Sequence, residues 1–267
     1  MNLDRFSVNQ MTVKQLTLPD LVAHCVRLGI PGVGLWRAPV QEYGVEAAAA
    51  LVREAGLSVT TLCRGGFFTA DGWEEDNRAA IDEAVTLGTD TLVLVSGGLT
   101  PACPDLPSAR ARIAEAIGEL APYAGERGIR LAIEPLHPMY ASDRCAISTL
   151  DQALAIAEHF PPEQVGVTVD TYHLWWDDQA PAAVERAGAA GRIHSFQLAD
   201  WTTPLPAGVL NGRGQLGTGC IDLRAWADLV EKAGYPGPVE VELFNDELWA
   251  RDGVEVLEET LERFLEV

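Results

Sequence analysis

Positive charge is scarce in this chain. Lysine and arginine together number 19 against 39 aspartates and glutamates, a formal net charge of −20 at pH 7. A surface that acidic repels phosphate backbones and anionic membranes, so neither nucleic acid nor a membrane is an expected partner. A small anionic ligand stays open, because local arginines can offset the field. Cysteine is also sparse. Cys25, Cys63, Cys103, Cys145 and Cys220 form an odd, widely spaced set with no CxxC pair. That pattern predicts isolated core thiols and a reducing, cytoplasmic setting rather than a disulfide framework. No run approaches the roughly 18 apolar residues needed to span a bilayer, and Met1–Arg5 lacks the apolar core of a secretion signal. No Gly-x-Gly-x-x-Gly turn follows an early strand, and no Ser/Gly/Pro-rich linker divides the chain.

Apolar residues make up 48% of the 267 positions and are spread along the whole length. That is enough for one large core, and α/β barrels of about 250 residues usually form one domain, so a single domain over residues 1–267 is expected. Strand-like runs recur at Phe6–Asn9, Val33–Trp36, Ser58–Cys63, Thr91–Val95, Arg130–Ile133, Val165–Val169, Ile193–Leu198 and Val239–Phe244. Between them, apolar residues at spacings of three and four predict helices over Leu18–Leu28, Val45–Ala55, Glu74–Leu87, Ser108–Arg127, Thr149–His159, Ala180–Ala189 and Leu223–Ala233, with Gly253–Phe264 closing the chain. Gly29, Gly56, Gly88, Gly128 and Gly234 each follow a helical run, where a left-handed residue ends a helix. Thr149 and Asp222 stand where N-caps belong. Strands alternating with single helices pair in parallel through crossover helices, and eight such units predict a closed (β/α)8 TIM barrel. The alternative, a doubly wound open sheet, wants the missing glycine-rich phosphate turn.

Four of the strand-like runs place a possible metal ligand near their C-terminal ends: Glu134 in LAIEPLH, Asp170 in VGVTVDTYH, Gln197 in IHSFQLAD and Glu242 in PVEVELF. In a closed parallel barrel those ends converge on one mouth. Two glutamates, an aspartate and an amide oxygen suit a hard or borderline divalent ion such as Mn²⁺ or Mg²⁺. Gln197 and His194 are three positions apart on one strand and face opposite sides; Gln197 is expected toward the site and His194 away from it. Glu240 shares the parity of Glu242, and lower in the barrel it is expected to pair with a cation. His173 is a candidate proton donor or hydroxyl contact; the alternative is a satisfied structural histidine. Trp175 and Trp176 are equally suited to wall a sugar pocket or to pack. Trp36 and His137, at the ends of the second and fifth runs, join His173 and Trp176 as candidate substrate contacts. The glycine-rich stretch Asn211–Gly219 either lets its backbone approach a ligand, with Arg213 polarising a carbonyl oxygen, or is a flexible connector.

Together these stretches resemble the sugar isomerase/epimerase superfamily of xylose-isomerase-like barrels. The resemblance covers nearly the whole chain, and its most specific pieces are Glu134-Pro-Leu-His137-Pro, Val169-Asp170-Thr-Tyr-His173, Gly212-Arg213-Gly214 and Val241-Glu242. Ketose 3-epimerases, hydroxypyruvate isomerases, inosose dehydratases and endonuclease IV are of this kind. The resemblance implies a Glu, Asp, His, Glu set holding Mn²⁺ or a similar ion (Mg²⁺, Co²⁺ or Zn²⁺), with the two glutamates exchanging the substrate proton. Carried over, these roles fall on Glu134, Asp170, Gln197 and Glu242, with His173 and Arg213 on the substrate's oxygens. Gln197 departs from the pattern, where most relatives have histidine. The implied activity is metal-dependent isomerisation or epimerisation of a sugar or sugar phosphate through a metal-bound enediolate, in a dimer or tetramer. A lyase or dehydratase is the runner-up, because the same enediolate expels a leaving group placed β to the acidified proton. An endonuclease wants a basic surface and more than five histidines. A non-catalytic sugar-binding barrel has no need for all three acidic residues.

Overall fold

In a computed structural model, which describes residues 1–206 and 209–267, the chain is a closed (β/α)8 TIM barrel. The strands in chain order are β1 (Phe6–Asn9), β2 (Gly32–Trp36), β3 (Ser58–Gly66), β4 (Thr91–Val95), β5 (Arg130–Glu134), β6 (Val165–Asp170), β7 (Ile193–Leu198), β8 (Asp200–Trp201), β9 (Arg213–Gly214) and β10 (Val239–Val241). The barrel runs β1-β10-β7-β6-β5-β4-β3-β2 with every neighbour parallel. β8 and β9 form a separate antiparallel ribbon. Helices Leu18–Leu28, Val45–Glu54, Trp73–Leu87, Leu106–Gly125, Leu150–Ala157, Ala180–Ala189, Leu223–Lys232 and Gly253–Glu266 return the chain between strands and close it.

Local chemistry sets these boundaries. Thr149 and Asp222 accept N–H bonds from Gln152 and Ala225 and so cap their helices. Gly29 and Gly88 end theirs at φ 72° and 77°, where a β-carbon is penalised. The strands read as continuous apolar runs because both faces are covered: Phe6, Val33, Leu92, Leu131, Val167 and Val241 have no exposed surface. Polar groups also enter the barrel. Gly34 makes room for one of them, since a β-carbon there would lie 2.5 Å from the Glu240 carboxylate. The expected ion pair for Glu240 is replaced by four neutral donors: Asn9 Nδ2 at 2.7 Å, Thr60 Oγ1 at 3.0 Å, Thr61 Oγ1 at 2.8 Å and Gln197 Nε2 at 3.2 Å. Burial still holds the Glu240 carboxyl above its usual range, and these four hydrogen bonds oppose the rise.

The five cysteines are all free thiols, four of them buried. Among the described residues no helix is long and apolar enough to cross a membrane.

Candidate functional site

Glu134 is the last residue of β5, and Pro135 follows it. Asp170 ends β6, and its Oδ1 accepts the Tyr172 N–H at 2.8 Å, capping the short helix Thr171–Leu174. That cap brings His173 back over the strand end, with Nε2 3.9 Å from Asp170 Oδ2. In register, Asp170 is opposite Gln197 on β7, and Gln197 is opposite Glu240 on β10. Partners in a parallel ladder point to the same face, so all three side chains face inward. Glu242 follows β10, two residues above Glu240 and on the same side.

Arg213 ties these elements together. Its backbone N–H donates to Phe244 O at 3.0 Å, and its carbonyl accepts from Asn245 Nδ2 at 2.8 Å. The glycine-rich stretch is therefore lashed to the barrel mouth at β9, not loose. The buried guanidinium then reaches Asp170 Oδ2 at 2.9 Å and Glu242 Oε2 at 3.1 Å. Trp36 Nε1 donates to Glu242 Oε1 at 3.3 Å and to Asn9 Oδ1 at 3.0 Å.

Trp36, Glu134, His173, Arg213 and Glu242 line one cavity of about 110 Å³ at the C-terminal mouth. Asp170 joins them through Arg213. His137 and Trp176 lie beside this cavity without lining it. The His137 N–H donates to His173 Nδ1 at 3.1 Å, Trp176 Nε1 donates to the His173 carbonyl at 2.7 Å, and the two rings meet edge to face at 5.7 Å. His194 turns away as expected, buried with Nε2 2.8 Å from Pro162 O. Cys63, Arg64, Tyr140 and Phe244 also line the cavity; no spacing singled them out. A larger hollow of about 430 Å³ lies among Thr60, Thr61, Arg130, His194 and Tyr235, away from Glu134, Asp170 and Glu242.

Burial dominates the electrostatics. It pushes the Glu134 carboxyl well above its usual range, with Glu242 and Asp170 adding repulsion and Arg213 opposing. Asp170 is raised by burial against the pull of Arg213. Glu242 rises to about 7, again through burial first. The His173 imidazole is held well below its usual value by burial and by Arg213. Three carboxylates share one guanidinium, so the set at full ionisation lacks two positive charges. Glu134 Oε1 and Gln197 Oε1 are buried acceptors without a hydrogen-bond partner. One ligand atom from each of Glu134, Asp170 and His173 lies within 4.8 Å of the others. A charge deficit of two, unpaired oxygens and clustered donors fit a divalent cation.

Comparison with known proteins agrees with this architecture. The family model of the xylose isomerase-like TIM barrel matches residues 22–260. Protein SMc04130 from Sinorhizobium meliloti 1021 is 40% identical, with 99% of this chain and 98% of that one superposed at a TM-score of 0.95. A ketose 3-epimerase from Arthrobacter globiformis is 26% identical over 221 residues, 81% of this chain and 70% of the epimerase. A 3-dehydroshikimate dehydratase from Pseudomonas aeruginosa is 32% identical over 244 residues, 86% of this chain but only 36% of the dehydratase.

Proposed function

The chain belongs to the xylose isomerase-like TIM barrel family, and on that premise we propose that it is a divalent-metal-dependent sugar isomerase or epimerase. The observation that carries this reading is the pair Glu134 and Glu242, two buried carboxyls held above their usual range that line one cavity. They stand on β5 and just after β10, with β6 and β7 between them, so a substrate lodged in the mouth is approached from two sides.

Glu134, Asp170, Gln197 and Glu242 are the residues that would hold the cation. Bound there, it supplies Lewis acidity, lowering the pKa of a carbon-bound proton next to a carbonyl. One glutamate removes that proton and the substrate becomes an enediolate. Delivery of a proton by the other glutamate, from the opposite face, inverts the centre; delivery to the neighbouring carbon isomerises the sugar. Burial helps, because a base whose pKa lies near the working pH is ionised yet still basic. Glu242 at about 7 meets that condition. Arg213 and the His173 imidazole orient the substrate's oxygens, Trp36 walls the cavity, and His137 and Trp176 support His173 from outside it.

Proton–deuterium exchange followed by NMR tests this reading. Protein with added Mn²⁺ is incubated in D₂O with ketoses, ketose phosphates and inososes, beside a chelated control. Metal-dependent uptake of deuterium at one carbon is expected; its absence across the panel overturns the proposal. The likeness to the dehydratase favours one second reading, β-elimination from the same enediolate. Elimination leaves an unsaturated product with one hydroxyl fewer, which the same spectra separate from an epimer.

A further inference from the structure

Glu240 takes no part in this mechanism, yet it lies in register beside a candidate ligand. Its carboxylate is 1% exposed and is met by Asn9 Nδ2, Thr60 Oγ1, Thr61 Oγ1 and Gln197 Nε2. A carboxylate only accepts, so each amide that faces it must present its nitrogen. Asn9 therefore turns its oxygen the other way, where it accepts Trp36 Nε1 at 3.0 Å and the Met11 N–H at 3.0 Å. Gln197 is turned in the same manner, with Nε2 on Glu240. Its Oε1 is left wholly buried and without a partner, on the strand that pairs with Asp170. A reversed amide would set oxygen against oxygen at Glu240. An uncompensated acceptor in a closed interior is costly unless something positive meets it.

The His173 imidazole lies within 4.8 Å of Glu134 and Asp170, but both of its nitrogens face other groups. A neutral ring has one lone pair and one N–H, and the backbone N–H of His137 meets Nδ1 at 3.1 Å. Nε2 faces Arg213 Nη2 at 3.1 Å, and a guanidinium only donates, so both ring nitrogens are met by donors and the ring's one lone pair is already engaged.

We propose that Glu240 is a positioning residue. By holding the Gln197 amide nitrogen, it turns the Gln197 carbonyl oxygen toward the ion site and completes an all-oxygen ligand set with Glu134, Asp170 and Glu242. Such a set favours a hard cation, Mn²⁺ or Mg²⁺, more than one containing an imidazole does. The inference rests on the metal-dependent reading above and deepens it.

Equilibrium binding of Mn²⁺ to the chelator-stripped protein tests it, read from the electron paramagnetic resonance of the free ion. Glu240→Gln is expected to weaken binding about 10–100-fold, the usual effect of losing a group that orients a ligand. Gln197→Leu should weaken it as well, and the double variant should be no weaker than Gln197→Leu alone, because Glu240 acts through that amide. Gln197→His, judged by competition, should raise the Zn²⁺-to-Mn²⁺ affinity ratio at least tenfold; this readout stands even if Glu240→Gln does not fold. Unchanged Mn²⁺ affinity in a folded Glu240→Gln protein overturns the inference. So does a loss fully additive to that of Gln197→Leu, or an unchanged ratio in Gln197→His. In these cases wild-type binding leaves the functional reading standing, whereas a wild-type protein that binds no divalent ion overturns both.

Discussion

Replacing Arg213 by methionine keeps much of the side chain's bulk and removes the guanidinium that neutralises Asp170 and Glu242. Breaking a buried pair by deleting one partner typically costs about 3–5 kcal/mol, because the charge left behind stays uncompensated. The cost must depend on pH. In the wild type Arg213 restrains the rise of Glu134, Asp170 and Glu242, whose carboxyls burial holds above their usual range. Without it they climb further. A carboxyl raised in the folded state keeps its proton longer there than in the unfolded chain, so stability falls as pH rises from the ordinary carboxylate value through the folded one. At pH 4.5 the raised carboxyls hold more of their protons in the folded variant than at pH 8, so less charge is left uncompensated. The deficit then falls toward that of the lost stacking on Tyr172 and Phe244, 5.0 and 5.5 Å away, on the order of 1 kcal/mol. By pH 8 it should approach the full about 3–5 kcal/mol. Divalent cation at a hundred times its dissociation constant should return about 2.7 kcal/mol. Urea unfolding of wild type and variant at both pH values, with and without Mn²⁺, measures all three quantities. An equal deficit at pH 4.5 and pH 8 would refute the reasoning and reduce Arg213 to packing.

Glu134→Gln and Glu242→Gln should each cost about 10²–10⁴-fold in deuterium exchange while circular dichroism stays native; near-wild-type exchange in both sinks their assignment. His194 is buried, and its pKa drops from an ordinary 6.5 to about 4. The unfolded chain therefore binds the extra proton first, and between pH 7 and pH 5 this group withdraws about 2 kcal/mol of stability. His194→Gln should flatten the pH dependence of unfolding by that amount relative to wild type, and parallel curves would contradict the assignment. Asp200 accepts N–H bonds from Trp201 at 2.8 Å, Gly219 at 2.8 Å and Ile221 at 3.0 Å, closing the loop that carries Arg213. Asp200→Asn should lower unfolding free energy by about 1–3 kcal/mol; an unchanged melting temperature would show that the loop is held otherwise.

The barrel was legible in sequence because its strands are buried on both faces and its helices carry strong terminal signals. Phe6–Asn9, Thr91–Val95 and Ile193–Leu198 occur with the expected bounds. Misses fall where tertiary contacts overrule local pattern. β3 continues past Cys63 to Gly66, since Gly65 and Gly66 pack where a β-carbon would meet Asn77 or the Val95 backbone. β10 stops at Val241, and the Phe244 carbonyl is taken by Arg213 instead of a strand neighbour. The helix Arg37–Tyr43 was not expected; it has no side-chain cap to announce it.

The site divides along the same line. Strand-end position and side-chain parity are one-dimensional properties, and they suffice to bring Glu134, Asp170, Gln197 and Glu242 to one end of the barrel. What each group does there depends on which atoms its neighbours present, and this is a property of register between strands far apart in the chain. Glu240 and Glu242 differ in sequence only by two places. One meets four donors supplied by β1, β3 and β7, while the other meets a guanidinium from β9 and an indole from β2. Burial raises both carboxyls, but in the first arrangement four hydrogen bonds oppose the rise. In the second, the carboxyl rises to about 7, and it is the one proposed to exchange a proton. Parity alone assigns both to the interior, and only the donor inventory around each distinguishes the carboxyl proposed to position an amide from the one proposed to react.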